Sequence, residues 1–279
     1  MQAIPITDIE DERVAPYRNV RDADLRGRDE LFMAEGRFVV SLLLTDARYK
    51  ADSVLVTEHA LEAIRPALER LDVPPPVYVA SREVMGSIVG FDIHRGCLAA
   101  GRRSPVPDAP DLLDRLGPQD RLLVLAEDLA NHDNIGGVFR SAAAFGAGAV
   151  LVTPRCCDPL YRKAIRVSMG HALRVPFASV PAGAEGVEML RDRGVLTVAL
   201  TTAADAVGLD ELGDRLSGHP GSWVCLLLGS EGDGLSGGAS GAADVRVRIP
   251  IAPGVDSLNA TVAASIAMQR VAECLGLVR

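Results

Sequence analysis

Cysteine and histidine are scarce in this chain, and neither falls into a pattern that redox or metal chemistry would need. Five cysteines are an odd number in 279 residues; Cys156 and Cys157 are adjacent, while Cys97, Cys225 and Cys274 stand alone. No Cys-x-x-Cys pair exists, and the five histidines show no His-Glu-x-x-His spacing. A disulfide framework and a metal site are therefore not expected, and a reducing cytoplasm is the simplest home. Net positive charge is missing too: 29 basic residues face 37 acidic ones, a net charge of −8, and acidic residues are in excess on both sides of residue 103. Bulk charge does not mark a nucleic-acid module, so an RNA reading has to rest on local patches and motifs. No apolar run approaches the roughly 18–20 residues that span a bilayer, so no membrane partner is expected. The start, MQAIPITDIEDER, is acidic and lacks the apolar stretch of a secretory leader.

What is present is the composition of a folded chain. Hydrophobic residues make up 48% and charged residues 24%, which excludes a mostly disordered polymer. The 27 glycines and 17 prolines are spread out, without repeat or low-complexity run. The length favours two domains or one large one.

The pattern is α/β along the chain. Helical spacing covers 29–47 and 58–71, the latter interrupted by Pro66, with a short helix at 82–88. Strand-like runs occupy 53–57, 77–80 and 96–100. Together they predict a small first domain over 1–103. Residues 104–119 carry Pro105, Pro107, Pro110 and Pro118 and are expected to be a linker, with a short helix possible at 111–116. From 120 to 279, apolar strands (121–126, 149–153, 196–201, 223–228, 245–251) alternate with helices (134–145, 159–172, 257–275). Near-continuous apolar strands with helical crossovers predict a parallel sheet covered on both faces. Ligands of such sheets sit beyond the carboxyl ends of the strands.

Four segments carry candidate chemistry. The first is NIGGVFRSAAAFG, 134–146: Asn134 stands where a helix cap belongs, and Arg140 is a lone guanidinium in an apolar helix, either a plain surface arginine or one held at a cleft edge to grip phosphate or a ribose oxygen. The second is LGSEGDGL, 228–235, after a buried-type strand. Its glycines make either an ordinary strand-ending turn or a sharp turn close to a ligand, and Glu231 is expected to be exposed among them. It is neither a dinucleotide nor a nucleoside-triphosphate loop. The third runs from Ile249-Pro250-Ile251 through Gly254 to Ser257-Leu258-Asn259-Ala260-Thr261 and enters the last helix. Asp256 or Ser257 can cap that helix, and Asn259 is either a second cap or a cleft-facing donor and acceptor. The helix itself is small and apolar on nearly every side, which implies burial at a subunit or domain contact. The fourth, 155–171, holds the one dense basic run, Arg162, Lys163 and Arg166 beside Tyr161. Such a run is either a solvated helix face or a phosphate rail.

Taken together these segments resemble the SpoU (TrmH) family of RNA ribose 2′-O-methyltransferases, in the SPOUT class. The first is similar to NxGxxxRxAxxFG, the second to GxExxGL and the third to IPMxGxxxSLNVSVAAxI, with Ile251 in place of Met and Ala260-Thr261 in place of Val-Ser. Arg166-Val-Ser168-Met-Gly170 also looks familial. The resemblance implies a deep trefoil knot in the C-terminal parallel-sheet domain, a fold that general rules of chain topology would not propose. It implies S-adenosylmethionine (AdoMet) held by Gly229, Ile249 and Leu258, and a catalytic neighbourhood of Asn134, Arg140, Glu231, Ser257 and Asn259. It also implies a homodimer and an RNA substrate, ribosomal or transfer; Arg162, Lys163 and Arg166 of the basic run, with Ser168, are the residues expected to touch it. The front of the chain, with Phe32-Met33-Ala34-Glu35-Gly36 and His94-Arg95-Gly96, is similar to the family's RNA-binding domain, which resembles a ribosomal protein. Arg140 would serve either as general base or by stabilising the developing alkoxide. A non-catalytic RNA-binding protein on the same scaffold and a small-molecule α/β enzyme are the competing expectations.

Overall fold

The computed structural model describes residues 3–18, 30–90, 96–217 and 223–278. The chain divides into two compact units: Met1–Pro105 with Pro159–Arg174, and Val106–Asp158 with Val175–Arg279.

The first unit is built on five strands, β1 (Ala3–Ile6), β2 (Leu31–Glu35), β3 (Ala51–Val56), β4 (Val77–Ala80) and β5 (Cys97–Arg102). Their order is β1-β4-β3-β5-β2. β1, β4 and β3 run parallel, and β5 is antiparallel to both its neighbours. Three helices follow strands: α1 (Arg37–Thr45), α2 (Glu58–Leu68) and α3 (Arg82–Val89). Thr57 and Ser81 begin the last two by accepting from Ala60 N (3.3 Å) and Val84 N (3.1 Å), which satisfies amides that have no partner inside the helix. Pro66 falls in the closing turn of α2 and the helix ends two residues later. The helix expected over 29–47 is corrected to strand, turn and helix. Leu31 to Ala34 are all buried, because β2 is an edge partner of β5 rather than a helix face. Gly36, at φ 93°, makes the bend between β2 and α1, a conformation that side chains with a Cβ resist. An uninterrupted apolar run satisfies helical and strand periods alike, so periodicity misleads there. Asp29, His94 and Arg95 lie outside the described residues.

The second unit carries a seven-stranded, wholly parallel sheet: β6 (Leu122–Ala126), β7 (Ala149–Val152), β8 (Phe177–Ser179), β9 (Leu196–Leu200), β10 (Val207–Gly208), β11 (Val224–Leu228) and β12 (Val245–Arg248). The order is β10-β12-β9-β11-β6-β7-β8, with Leu226 of β11 level with Val124 on one side and Val198 on the other. Every residue of β6 and β11 is buried, as strands covered on both faces require. Around the sheet lie α4 (Ala109–Leu113), α5 (His132–Ala144), α7 (Ala184–Arg191), α8 (Leu212–Ser217), α9 (Gly237–Ala242) and α10 (Ala260–Cys274). The helix between α5 and α7, α6 (Arg162–Val167), belongs to the first unit. β12 stops at Arg248 rather than at 251, just short of Pro250, which has no N–H to give a ladder.

Two boundaries differ from the expected domains 1–103 and 120–279. Residues 106–119 are not a free linker. Asp108 caps α4 by accepting from Asp111 N at 3.0 Å. Ala109, Leu112 and Leu113 are buried in one cluster with Leu123, Leu125 and Leu151. Pro110 sits in the first turn of α4, where a missing N–H costs nothing. The segment 159–174 packs with the first unit: Arg166 pairs with Glu35 (3.8 Å), Arg174 with Asp46 (3.1 Å), and Arg48 N donates to Leu173 O (3.0 Å). The helix expected over 159–172 is only the six-residue α6 followed by a single 3-10 turn, His171–Leu173. Met169 at φ 54° ends it.

Candidate functional site

A cavity of about 280 Å³ opens beyond the carboxyl ends of β9, β11 and β12 in the second unit. Gly229, Ile249 and Leu258, the three residues expected to hold a cofactor, all line it, and so do Glu231 and Ser257. Thr201, Thr202, Asp233 and Ser240 add polar groups that the sequence reading missed. Paired hydroxyls directly after a parallel strand were the available signal for the two threonines.

The segment 229–235 forms the tightest wall. Ser230 N donates to Gly234 O at 3.1 Å and Gly234 N to Ser230 O at 3.2 Å, closing the loop on itself. A Cβ on Gly229 would stand 1.9 Å from Gly234 C and 2.0 Å from Leu235 N. Only a residue without a side chain lets the backbone fold back this closely.

Asn134 links this loop to the start of α10. It is not the helix cap expected; Asn131 caps α5 by accepting from Asp133 N at 2.8 Å. Asn134 sits three residues further in and is 5% exposed. Its Nδ2 donates to Glu231 Oε1. Its Oδ1 accepts from Asn259 Nδ2 (3.0 Å) and Thr261 Oγ1 (3.1 Å). Asn259, rather than Asp256 or Ser257, caps α10, accepting from Thr261 N (2.9 Å) and Val262 N (3.3 Å). Asn259 thus fills the capping role foreseen for it while its amide reaches Asn134; it does not line the cavity itself. Thr261, one of the departures from the family pattern, also donates its hydroxyl to Asn134 O at 3.1 Å, a task that either β-hydroxyl residue performs. α5 and α10 are further joined through Ser141 and Ser265 (2.7 Å).

The structure does not bring Arg140 to this cluster within one chain. It is exposed, does not line the cavity, and has no hydrogen bond or ion pair among the described residues. Six residues after Asn134 on a helix of 3.6 residues per turn, it lies on a different face. Of the residues expected to touch RNA, Lys163 and Arg166 are exposed and Arg162 is half-buried. Ser168 is a correction: it is fully buried. Its hydroxyl is spent within the turn, donating to Ile165 O (2.9 Å) and accepting from Ala172 N (3.2 Å).

Ionisable groups at the strand ends are tied down. Asp128, at φ 58°, follows β6; the Arg155 guanidinium, bonded to it, holds its carboxyl below the usual carboxylate range. Burial pushes the Cys157 thiol up to about 12, so it stays a neutral thiol. All five cysteines are free. No cluster of three or more His, Cys, Asp or Glu that could hold a metal occurs among the described residues, nor is any described helix long and apolar enough to cross a membrane.

Known proteins resemble this chain in sequence and in fold. The SpoU rRNA Methylase family pattern matches residues 121–269. An uncharacterized tRNA/rRNA methyltransferase of Mycobacterium tuberculosis is 36% identical over 266 residues, covering 94% of this chain and 89% of that protein. Among solved structures, the AdoMet-bound rRNA methyltransferase from Sinorhizobium meliloti superposes with a TM-score of 0.78 at 23% identity, over 99% of each chain. An RNA 2′-O ribose methyltransferase superposes at 0.73 with 23% identity, over 99% of this chain and 100% of its own. At those identities the structural likeness speaks for the fold. The family pattern covers more than half of the residues and the mycobacterial relative nearly all of them, so the chain belongs to the SpoU rRNA methylase family.

Proposed function

We propose that this protein transfers a methyl group from AdoMet to a ribose 2′-hydroxyl of an RNA. The observation that carries the reading is the joining of three distant motifs at one place: Asn134 bonded to Glu231 and Asn259, beside a cavity walled by Gly229, Ile249 and Leu258. The cavity suits AdoMet chemically. Leu200, Leu228, Ile249 and Ile251 offer apolar walls that would suit a flat ring system, and the Glu231 and Asp233 carboxylates at the cavity wall would supply negative charge to a sulfonium. AdoMet-bound relatives of the same fold support it.

AdoMet supplies, when bound, an already electrophilic methyl. The work left to the chain is to align the sugar hydroxyl and ease its proton away. Orientation of that kind contributes roughly 7–11 kcal/mol in favourable cases. Asn134 and Asn259, bonded to each other, would orient the ribose, and Ser257 adds a hydroxyl at the cavity wall. A guanidinium carries only donors, so Arg140 serves best by stabilising the developing alkoxide. Its position, exposed and away from its own cavity, fits a homodimer in which a second copy supplies it. Val262 (47% exposed) and Ile266 (38%) leave α10 with apolar surface for such a contact. The same reading includes a deep trefoil knot around the cofactor loops and work on RNA in the cytoplasm. It also gives RNA docking to the first unit, through Arg162, Lys163 and Arg166.

The test is transfer of radiolabelled methyl to total RNA, followed by nuclease mapping to a 2′-O-methyl nucleotide. Arg140→Ala is expected to lower the single-turnover rate at least ~100-fold, the scale of one lost transition-state contact, with no change in thermal stability. Absence of transfer to any RNA by the native protein would overturn the reading, and near-native turnover in the variant would remove Arg140 from it.

A further inference from the structure

Glu127 follows β6 directly and is 2% exposed. Burying a carboxylate is costly unless its oxygens are bonded, and here three donors reach it. Oε1 accepts from Gly183 N (2.8 Å) and Ser236 Oγ (2.9 Å), and Oε2 accepts from Ser236 N (2.7 Å). Its own backbone N–H donates to Leu228 O at 2.7 Å. Leu228 and Ser236 are the residues on either side of 229–235, the loop that walls the cavity. One residue on a neighbouring strand end therefore grips both ends of that loop. Glu127 does not itself line the cavity.

We infer that Glu127 is a positioning residue for AdoMet: it sets the span of the 229–235 loop, and through it the affinity for the cofactor, without touching the cofactor. The inference rests on the AdoMet reading of the cavity. Its chemistry is specific to a carboxylate. Both oxygens accept, and every donor aimed at them is an N–H or a hydroxyl. A glutamine presents one acceptor and one donor group. Either the Ser236 N–H or the Gly183 N–H then faces an NH2, and an unmade buried hydrogen bond is felt by the segment that bears it.

The experiment compares native protein with Glu127→Gln by calorimetric titration of AdoMet and by hydrogen exchange of the ligand-free loop. Thermal melting and equilibrium RNA binding serve as controls. The expected result is an AdoMet Kd raised about tenfold, about 1.4 kcal/mol of binding, with faster exchange across 229–235 and RNA binding unchanged. Ser236→Ala keeps the backbone donor to Oε2 but removes the hydroxyl. It is expected to raise the Kd by a smaller factor, and it carries the test if Glu127→Gln fails to fold. A folded variant with lowered melting temperature but native AdoMet Kd and native loop exchange would overturn the inference and leave Glu127 a purely structural group. If the native protein bound no AdoMet, the functional reading would fall. Loop exchange in the ligand-free variant would then decide by itself whether Glu127 positions the loop.

Discussion

Asn134→Asp is the sharpest probe of the site, because it changes no shape and inverts one interaction. Oδ1 keeps its role toward Asn259 and Thr261. The Nδ2 donor to Glu231 becomes an oxygen, so a hydrogen bond to a charged acceptor is replaced by two facing carboxylates. A lost bond of that kind costs about 1.5–3 kcal/mol when buried, and less here because the Glu231 side is open to water. Repulsion at about 3 Å and an effective dielectric of about 40–80 adds roughly 1–3 kcal/mol. A net loss of about 2–3 kcal/mol at neutral pH follows, or roughly 5–10 °C in melting temperature for a unit of this size. The pH dependence has a definite sign. The introduced carboxyl holds its proton to higher pH in the folded chain than in the unfolded one, because a second carboxylate faces it. The folded state then binds more protons, so the variant loses stability as pH rises through that window and recovers it as pH falls toward about 4. Adding Glu231→Gln restores a donor in the opposite direction and is expected to recover more than half of the loss. Denaturant unfolding across pH 4–8 checks all three. A neutral-pH loss below about 0.5 kcal/mol, or no rescue by the second substitution, would refute the account of Asn134.

Gly229→Ala would force backbone atoms apart, since its Cβ would lie 1.9 Å from Gly234 C; the expected outcome is an AdoMet Kd at least ~10-fold weaker by calorimetry, with a stability loss of about 1–3 kcal/mol. Asp244 feels burial raising its pKa, but bonds from Thr197 N (2.9 Å) and Oγ1 (2.7 Å), with Arg191 beside it, lower it overall. Its stabilisation is therefore present above the unfolded carboxylate pKa of about 4 and lost as pH falls through the lower folded value. Asp244→Asn is expected to cost about 1 kcal/mol at neutral pH and to flatten acid unfolding. Arg162→Ala and Lys163→Ala are each expected to raise the RNA KM and to reduce the salt slope of binding by about one, while leaving AdoMet affinity untouched.

Segments whose partners are implied by their own composition were legible. Leu122–Ala126 and Val224–Leu228 have no polar residue, and the structure buries them on both faces. The loop around Glu231 was legible from its glycines. What failed involved choices between local and distant partners. Asn134 was expected to cap a helix because nothing local shows that Asn131 takes the cap and frees Asn134 for Glu231, 97 positions away. Residues 31–35 satisfy two periodicities, and the antiparallel partner that decides between them is β5, far along the chain. Ser168 was expected to touch RNA, and a polar residue gives no sign that a tight turn will consume its hydroxyl. Arg140 was placed by motif order, and its helical phase relative to Asn134 was available from the start.

The first unit is assembled from two separate stretches of chain, the second being Pro159–Arg174. During synthesis its earlier strands emerge more than fifty residues before the piece that completes them. Until residue 174 has left the ribosome, Val39 and Leu42 lack the neighbour that Gly170 brings against them. The nascent front half thus waits, with apolar surface uncovered, while part of the parallel sheet is still being made. A protein shortened to its first 105 residues would remain in that waiting state for good, and insolubility rather than a soluble half-protein is its expected fate.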